Sequence, residues 1–201
     1  MAGAATARAD EAPGWVRDAM GFAIPESTAD APAVILELEG RVELEPTGKV
    51  IERQRSVVRI TTREGAEAAQ AEVPYCTDGG KVRDLRGWLI DPGGRVKTLT
   101  RSYEIDQTML DSGLYDEYRI RRLVALKEAQ PGSVFAAEWT CEQTKPFLQF
   151  EWEFQEERPV LRSRFVLALP AGWTRAAGSP PARIPPVRPP SRLRTRARRA
   201  R

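Results

Sequence analysis

From Ala33 onward, apolar and polar residues trade places at every second position. Val34, Leu36 and Leu38 alternate with Ile35, Glu37 and Glu39, and Val42 and Leu44 with Glu43 and Glu45. A period of two is that of a strand buried on one face, and Gly40 is the expected place for a kink. Glu45-Pro46-Thr47-Gly48 reads as a turn, and Val50 to Thr62 returns as a second strand with Arg53, Arg55 and Arg59 on polar positions, so the pair reads as a hairpin. Residues 64–72 favour helix by propensity but lack a broad apolar stripe, which places them as strand edge or loop.

Lys81 to Asp91 is the next strand, with Leu85 and Leu89 on one face and Trp88 and Ile90 punctuating it. Asp91-Pro92-Gly93-Gly94 is a turn signal, and Arg95 to Thr100 returns. Residues 104–118 are irregular and acidic. Tyr118 to Leu126 is a strand, Pro131-Gly132-Ser133 turns the chain, and Val134 to Glu142 follows with Phe135, Ala137, Trp139 and Cys141 on one face. Late in the chain Leu148, Phe150, Trp152 and Phe154 interleave with Gln149, Glu151 and Glu153. Leu161, Ser163, Phe165, Leu167 and Leu169 then interleave with Arg162 and Arg164. Acids on one strand and arginines on the next suit a direct cross-strand pairing. About eight strands joined by turns, preceded by a short helix at Gly14 to Met20 anchored by Trp15, predict an all-β, antiparallel β-sandwich with disordered ends.

Composition divides the chain. Lysine and arginine number 31, aspartate and glutamate 28, for a net charge of +3, and histidine is absent. Nine arginines lie in residues 175–201 and no acid follows Glu157, so residues 1–174 carry 22 basic and 28 acidic side chains, net −6. The organisation expected is a disordered start over 1–13, a folded body over 14–173, and an Arg/Pro-rich tail over 174–201 that buries too little apolar surface to offset its ordering entropy. Six prolines between Pro180 and Pro190 mark that tail. Its composition is also what an out-of-frame reading of a GC-rich gene yields. A frameshift after about Trp173, leaving the sandwich incomplete at its C-terminal end, is therefore a hypothesis that translation of the other two frames tests.

Absence of histidine excludes Ser-His-Asp and Cys-His catalysis and imidazole-ligated metal. Cys76 and Cys141 match no zinc or redox spacing, and buried free thiols are the default; a disulfide requires export and neighbouring strands. The acids Glu104, Asp106, Asp111, Asp116 and Glu117 lack the spacing of a calcium loop, and a solvated loop is the simpler reading. The pairs Glu37/Glu39 and Glu151/Glu153 put two carboxylates on one strand face, which alternation explains without chemistry. Most aromatics fall at core positions; Trp88 and Tyr103, near turns, are the candidates for a ligand or partner surface. Arg192, Arg194, Arg196, Arg198, Arg199 and Arg201 form a candidate anion-binding tail for nucleic acid or an anionic surface, with no aromatic interleaved for base stacking. No catalytic residue, cofactor or metal is expected, and the chain as written carries no signal-peptide h-region or transmembrane run.

Several marks together resemble a known family. They are Trp15, the strand Val34 to Leu38, the Gly48 turn before a basic strand, Pro74-Tyr75, the strand Val82 to Asp91 running into Asp91-Pro92-Gly93-Gly94, and Tyr115 to Arg119. Pro131-Gly132-Ser133, the Phe150 to Phe154 strand and Leu169-Pro170-Ala171-Gly172-Trp173 complete the set. The chain from about Trp15 to Trp173 resembles the N-terminal β-sandwich domain of unknown function that precedes a transglutaminase-like domain in many bacterial proteins. The resemblance implies a non-catalytic accessory domain that packs on, or presents a protein or peptide to, a papain-like catalytic domain, in a parent protein that is exported or held in the cell envelope. It carries over no catalytic residue: Cys76 and Cys141 lie within the sandwich. Two other functions compete with this one, a polybasic-tail binder of nucleic acid or anionic surfaces and a carbohydrate-binding sandwich.

Overall fold

A computed structural model describes residues 11–28, 30–109, 117–144, 149–178 and 192–199. The chain is mostly β. A seven-residue helix, α1 (Gly14–Met20), precedes β1 (Ala33–Leu44), β2 (Val50–Ile60), β3 (Gln70–Cys76), β4 (Gly80–Ile90), β5 (Val96–Leu99) and β6 (Glu104–Thr108). There follow β7 (Tyr118–Val124), β8 (Val134–Gln143), β9 (Gln149–Glu153), β10 (Ser163–Ala168), β11 (Trp173–Gly178) and β12 (Arg192–Arg199). Six strands form one sheet in the order β10-β1-β2-β8-β4-β5, and two three-stranded sheets run β11-β12-β9 and β3-β7-β6. The described residues thus hold twelve strands where the periodicity announced about eight.

The turns form where their residue types dictate. Gly48, Gly94, Gly132 and Gly172 close hairpins or connections with φ between 78° and 90°, a region open mainly to glycine. At the Asp91 turn, the carboxylate accepts a hydrogen bond from the Arg95 amide at 2.9 Å. The 64–72 segment divides: Glu64–Ala68 is a 3-10 turn, and Gln70 begins β3.

Both faces of the large sheet are covered in part. On one face α1 lays Val16 and Ala19 over Val34, Leu36, Val57, Trp88, Ile90 and Ala136. Trp15 meets Trp88 edge-on, ring centroids 6.0 Å apart, and the Arg55 guanidinium lies 5.3 Å from the Trp15 ring centre. The opposite face is the inner one. There Ile35, Leu38, Val58, Leu89 and Phe135 pack with Leu123 of β7 on one side and Trp152 of β9 on the other. A second apolar group joins Val42, Leu44 and Val50 to Phe150 and Trp173.

Three expectations are corrected. β1 is not half-buried throughout: Ala33 to Leu38 are buried on both faces, because α1 and the small sheets cover this end from opposite sides. The irregularity in β1 falls between Ile35 and Glu37, not at Gly40. Gly40 serves a close approach instead, since a Cβ there would stand 2.2 Å from the Trp152 ring. β9 and β10 do not pair with each other. β10 runs parallel to β1, with Leu38 opposite Ser163 and Glu39 opposite Arg164, while β9 pairs with β12. The sheet is therefore not wholly antiparallel. Beyond Trp173, β11 extends to Gly178, and β12 runs antiparallel between β11 and β9. In that register Arg192 stands opposite Glu153 and Arg194 opposite Glu151.

Candidate functional site

Strand β2 has β1 on one side and β8 on the other, yet residues Glu52, Arg53, Gln54, Arg55 and Ser56 are polar without interruption. Alternation sends them to different surroundings. Arg53 and Arg55 point to the face that carries α1, and Glu52, Gln54 and Ser56 to the inner face.

On the α1 face the charges compensate one another in a row across the sheet. Arg164, Glu39, Arg55, Glu138 and Arg86 occupy directly paired positions on β10, β1, β2, β8 and β4. Arg55 Nη2 donates to Glu39 at 3.1 Å and lies 3.9 Å from Glu37, whose side chain is only 7% exposed; Arg86 and Glu138 are 3.8 Å apart, Arg164 and Glu39 3.7 Å. This row absorbs the Glu37/Glu39 pair, which has no carboxylate left for acid–base work. A shallow depression of about 250 Å³ lies along it.

The inner face is different. Val50 and Cys141 at one end, and Val58, Ile60 and Phe135 at the other, are core, while Glu52, Gln54 and Ser56 between them floor an open trough. Gln54 and Trp139 of β8 line two adjoining cavities. One, about 220 Å³, has Glu52 in its floor and Phe150 and Trp152 in its wall. The other, about 460 Å³, is bounded by Gln70, Ala71 and Glu72 of β3 and by Glu156 and Arg158. Together they have the size of a ligand cleft. The small sheets explain the opening. Leu123 of β7 presses on Gly87 of β4, where a Cβ would meet it at 2.2 Å, so β3-β7-β6 is seated toward β4 and β5. Trp152 presses on Gly40 of β1, seating β9 toward β1. The middle of β2 lies between them.

Burial raises the Glu52 carboxyl above its ordinary value, and among the described residues it makes no hydrogen bond or ion pair. Glu52 stands opposite Cys141 in the β2–β8 register. Burial first, and the Glu52 charge second, push the Cys141 thiol up to about 11, so at neutral pH it is a protonated, 1% exposed core group and no nucleophile. Cys141 and the half-buried Cys76 are unpaired.

At the rim of β3-β7-β6, Asp106 accepts from the Tyr75 hydroxyl at 2.8 Å, from Arg119 Nε at 2.8 Å and from Arg121 Nη2 at 3.2 Å. Partial burial alone would raise its carboxyl; the hydrogen bonds from Tyr75, Arg119 and Arg121 outweigh that and hold it below the usual aspartate range. Asp106 is thus a locking residue of this sheet. Asp111 and Asp116 lie outside the described residues, and the described residues contain no cluster of metal-ligating type.

The residues singled out from sequence are scattered. Trp88 is buried under α1, 7% exposed, and so belongs to the core rather than to a surface. Tyr103 packs partly on the inner core, its hydroxyl donates to Glu128, and Lys97 sits 5.0 Å from its ring centre. Neither reaches the trough. The backbone of β12 carries Arg192, Arg194, Arg196, Arg198 and Arg199, and Arg201 lies outside the described residues. Glu52, Gln54, Ser56 and Trp139 were legible only as a strand. Their signal was the polar run on both faces of a strand that has two neighbours. No helix among the described residues is long and apolar enough to cross a membrane.

No curated protein matches the chain. Among solved structures, one from Parabacteroides distasonis ATCC 8503, described as a "putative protease", is similar over 85% of this chain and 36% of its own, with TM-score 0.66 and 13% identity. Yeast LTA4 hydrolase in complex with bestatin is similar over 92% of this chain and 30% of its own, at 7% identity and TM-score 0.35. An M1 zinc metallopeptidase from Deinococcus radiodurans covers 84% of this chain and 40% of its own, at 10% identity and TM-score 0.34. The first likeness shows a shared fold, and the chain spans about a third of the length of that protein. The other two, at their low scores, support no argument. The family DUF3857, "Domain of Unknown Function with solved-structure structure", matches residues 46–196, straight through the compositional break at Trp173, and the chain belongs to that family.

Proposed function

We propose that the chain is a non-catalytic interaction module of β-sandwich build, and that it works within a larger protein by receiving a protein or peptide partner in its inner trough. The observation that carries this reading is the uncompensated floor of the trough. A half-buried carboxylate, Glu52, with Gln54 and Ser56 beside it, is kept open between two covering sheets. Among the described residues these three side chains have no hydrogen-bond or ion-pair partner, and a bound peptide could supply one. The resemblance to the module that precedes transglutaminase-like domains adds a class of companion, a papain-like catalytic domain of the same polypeptide. The length of the similar Parabacteroides protein, of which this chain covers 36%, is consistent with a module that has companions.

Two measurements test the reading. The 201-residue chain, mixed with peptide-amide and amine substrates, is expected to give no turnover, and turnover that survives loss of both Cys76 and Cys141 would remove the non-catalytic role. Fusion to a transglutaminase-like catalytic domain is expected to make protein-substrate rates sensitive to Ser56→Trp, a substitution that fills the trough, while rates on a small amine stay unchanged. Equal rates on the protein substrate with and without Ser56→Trp would refute presentation through the trough.

A further inference from the structure

The trough has an unpaired strand edge along one wall. Among the described residues β3 has a single strand neighbour, β7, and β7 is seated over β4, where Leu123 meets Gly87. The opposite edge of β3 therefore faces the middle of β2. Val73 packs with Cys141 of β8, and Cys141 is paired to Glu52, so β3 stands above β8 and the next strand position in that layer stands above β2. That position is where Glu52, Gln54 and Ser56 form the floor and where the cavity of about 460 Å³ lies against Gln70, Ala71 and Glu72.

We propose that the trough takes an extended peptide segment as an added strand on the free edge of β3, with a lysine or arginine side chain of that segment set against Glu52. Ala69 and Thr77 turn their main-chain groups to the β7 side, so by alternation those of Gln70 and Glu72 face the free edge and supply the pairing, and Pro74, which has no N–H, ends it. An added strand continues the β3-β7-β6 ladder and roofs the trough. Its side chains alternate, so one in two points down at the β2 floor. The occupant is cationic at one such position because Glu52 has no counter-charge among the described residues, whereas Glu39 and Glu138 of the other face each stand opposite an arginine. Trp139, with an apolar body beside Glu52 and Gln54, suits the aliphatic stem of the same side chain.

This inference rests on the reading of the domain as a partner-binding module, and its test is separate from that one. The probes are fluorescent, end-capped heptapeptides of alternating valine and threonine with one lysine scanned through each position, titrated into the 201-residue chain by anisotropy. At least one register of lysine is expected to bind about tenfold tighter than its norleucine counterpart. Glu52→Gln abolishes that preference, and Gln54→Lys weakens the lysine peptides by charge repulsion. N-methylation of alternate amides is expected to remove binding. Hydrogen exchange is expected to slow at the Gln70 and Glu72 amides and not at the β6 edge. No binding by any register at millimolar peptide overturns the inference, as does tight binding that ignores both Glu52→Gln and N-methylation. In either case an inert chain whose fused catalytic domain still responds to Ser56→Trp leaves the module reading standing.

Discussion

The two faces of β2 use similar residues to opposite ends. On the α1 face, Arg53 and Arg55 alternate with acids from neighbouring strands, and each charge in the row from Arg164 to Arg86 has its opposite beside it. On the inner face, one residue away in sequence, Glu52 is half-buried without a partner among the described residues, and Gln54 and Ser56 line open space. A charged strand is therefore no guide to a binding site until its charges are matched against the register. Where the register cancels them they hold the sheet together. Where it leaves them over, something else has to complete them.

The sharpest way to break this comparison is to ask whether the inner face is really divided into core and cleft. Phe135→Ala, within the core part, is expected to lower unfolding stability by about 4 kcal/mol, read from the midpoint of urea denaturation. Ser56→Ala, a few residues along the same face, is expected to change it by less than about 0.5 kcal/mol. Equal losses would mean the trough is packed after all. Gly40→Val comes next. Its side chain enters the space of the Trp152 ring, for a loss of about 3 kcal/mol and a red shift of tryptophan emission as β9 lifts.

The α1 face responds to charge rather than volume. Arg55→Met leaves Glu37 and Glu39 without their shared cation, and a loss of about 2 kcal/mol is expected, discounted for the solvent that still reaches the side chain. An unchanged midpoint would show the row to be ornamental. Glu52→Gln is the smallest effect and has the opposite sign. Burial raises the folded-state pKa of Glu52, so the native chain holds this proton more tightly than the unfolded chain does. Wild-type stability is then full below the unfolded carboxyl value of about 4.3 and declines as pH rises toward the folded value. Removing the group removes the decline. The variant-minus-wild-type melting difference should be more positive at pH 7 than at pH 4, and a reversed trend would assign Glu52 a hidden cation.

Much of the architecture was legible because local signals suffice for it. The period of two placed β1, β2, β4, β8 and β9, and the glycine turns closed them. Leu85 and Leu89 gave one face of β4 correctly. Partner choice was not legible. The parallel union of β1 with β10 joins residues far apart in sequence, which no window of periodicity sees. Helix α1 was seen, but not that it would bury Trp88. β12 was hidden by a composition that lacks acids; only the acids at β9 make its arginine positions a strand. The trough escaped for the same reason: it lies between elements, and its residues read as polar positions until the covering sheets are placed.

The parallel pairing of β10 with β1 has a consequence for how the chain is made. β1 leaves the ribosome early, and its partner on that side follows only with Ser163 to Ala168. At about 5–20 residues per second, the gap between Leu38 and Ser163 is on the order of ten seconds of synthesis. Throughout that interval an apolar strand with one bare flank waits on a nascent chain. Such a flank invites pairing with a neighbouring polypeptide, and a topology so rich in distant contacts closes slowly once complete. Yield on overexpression should therefore depend more on translation speed and holdase supply than on the final stability of the domain.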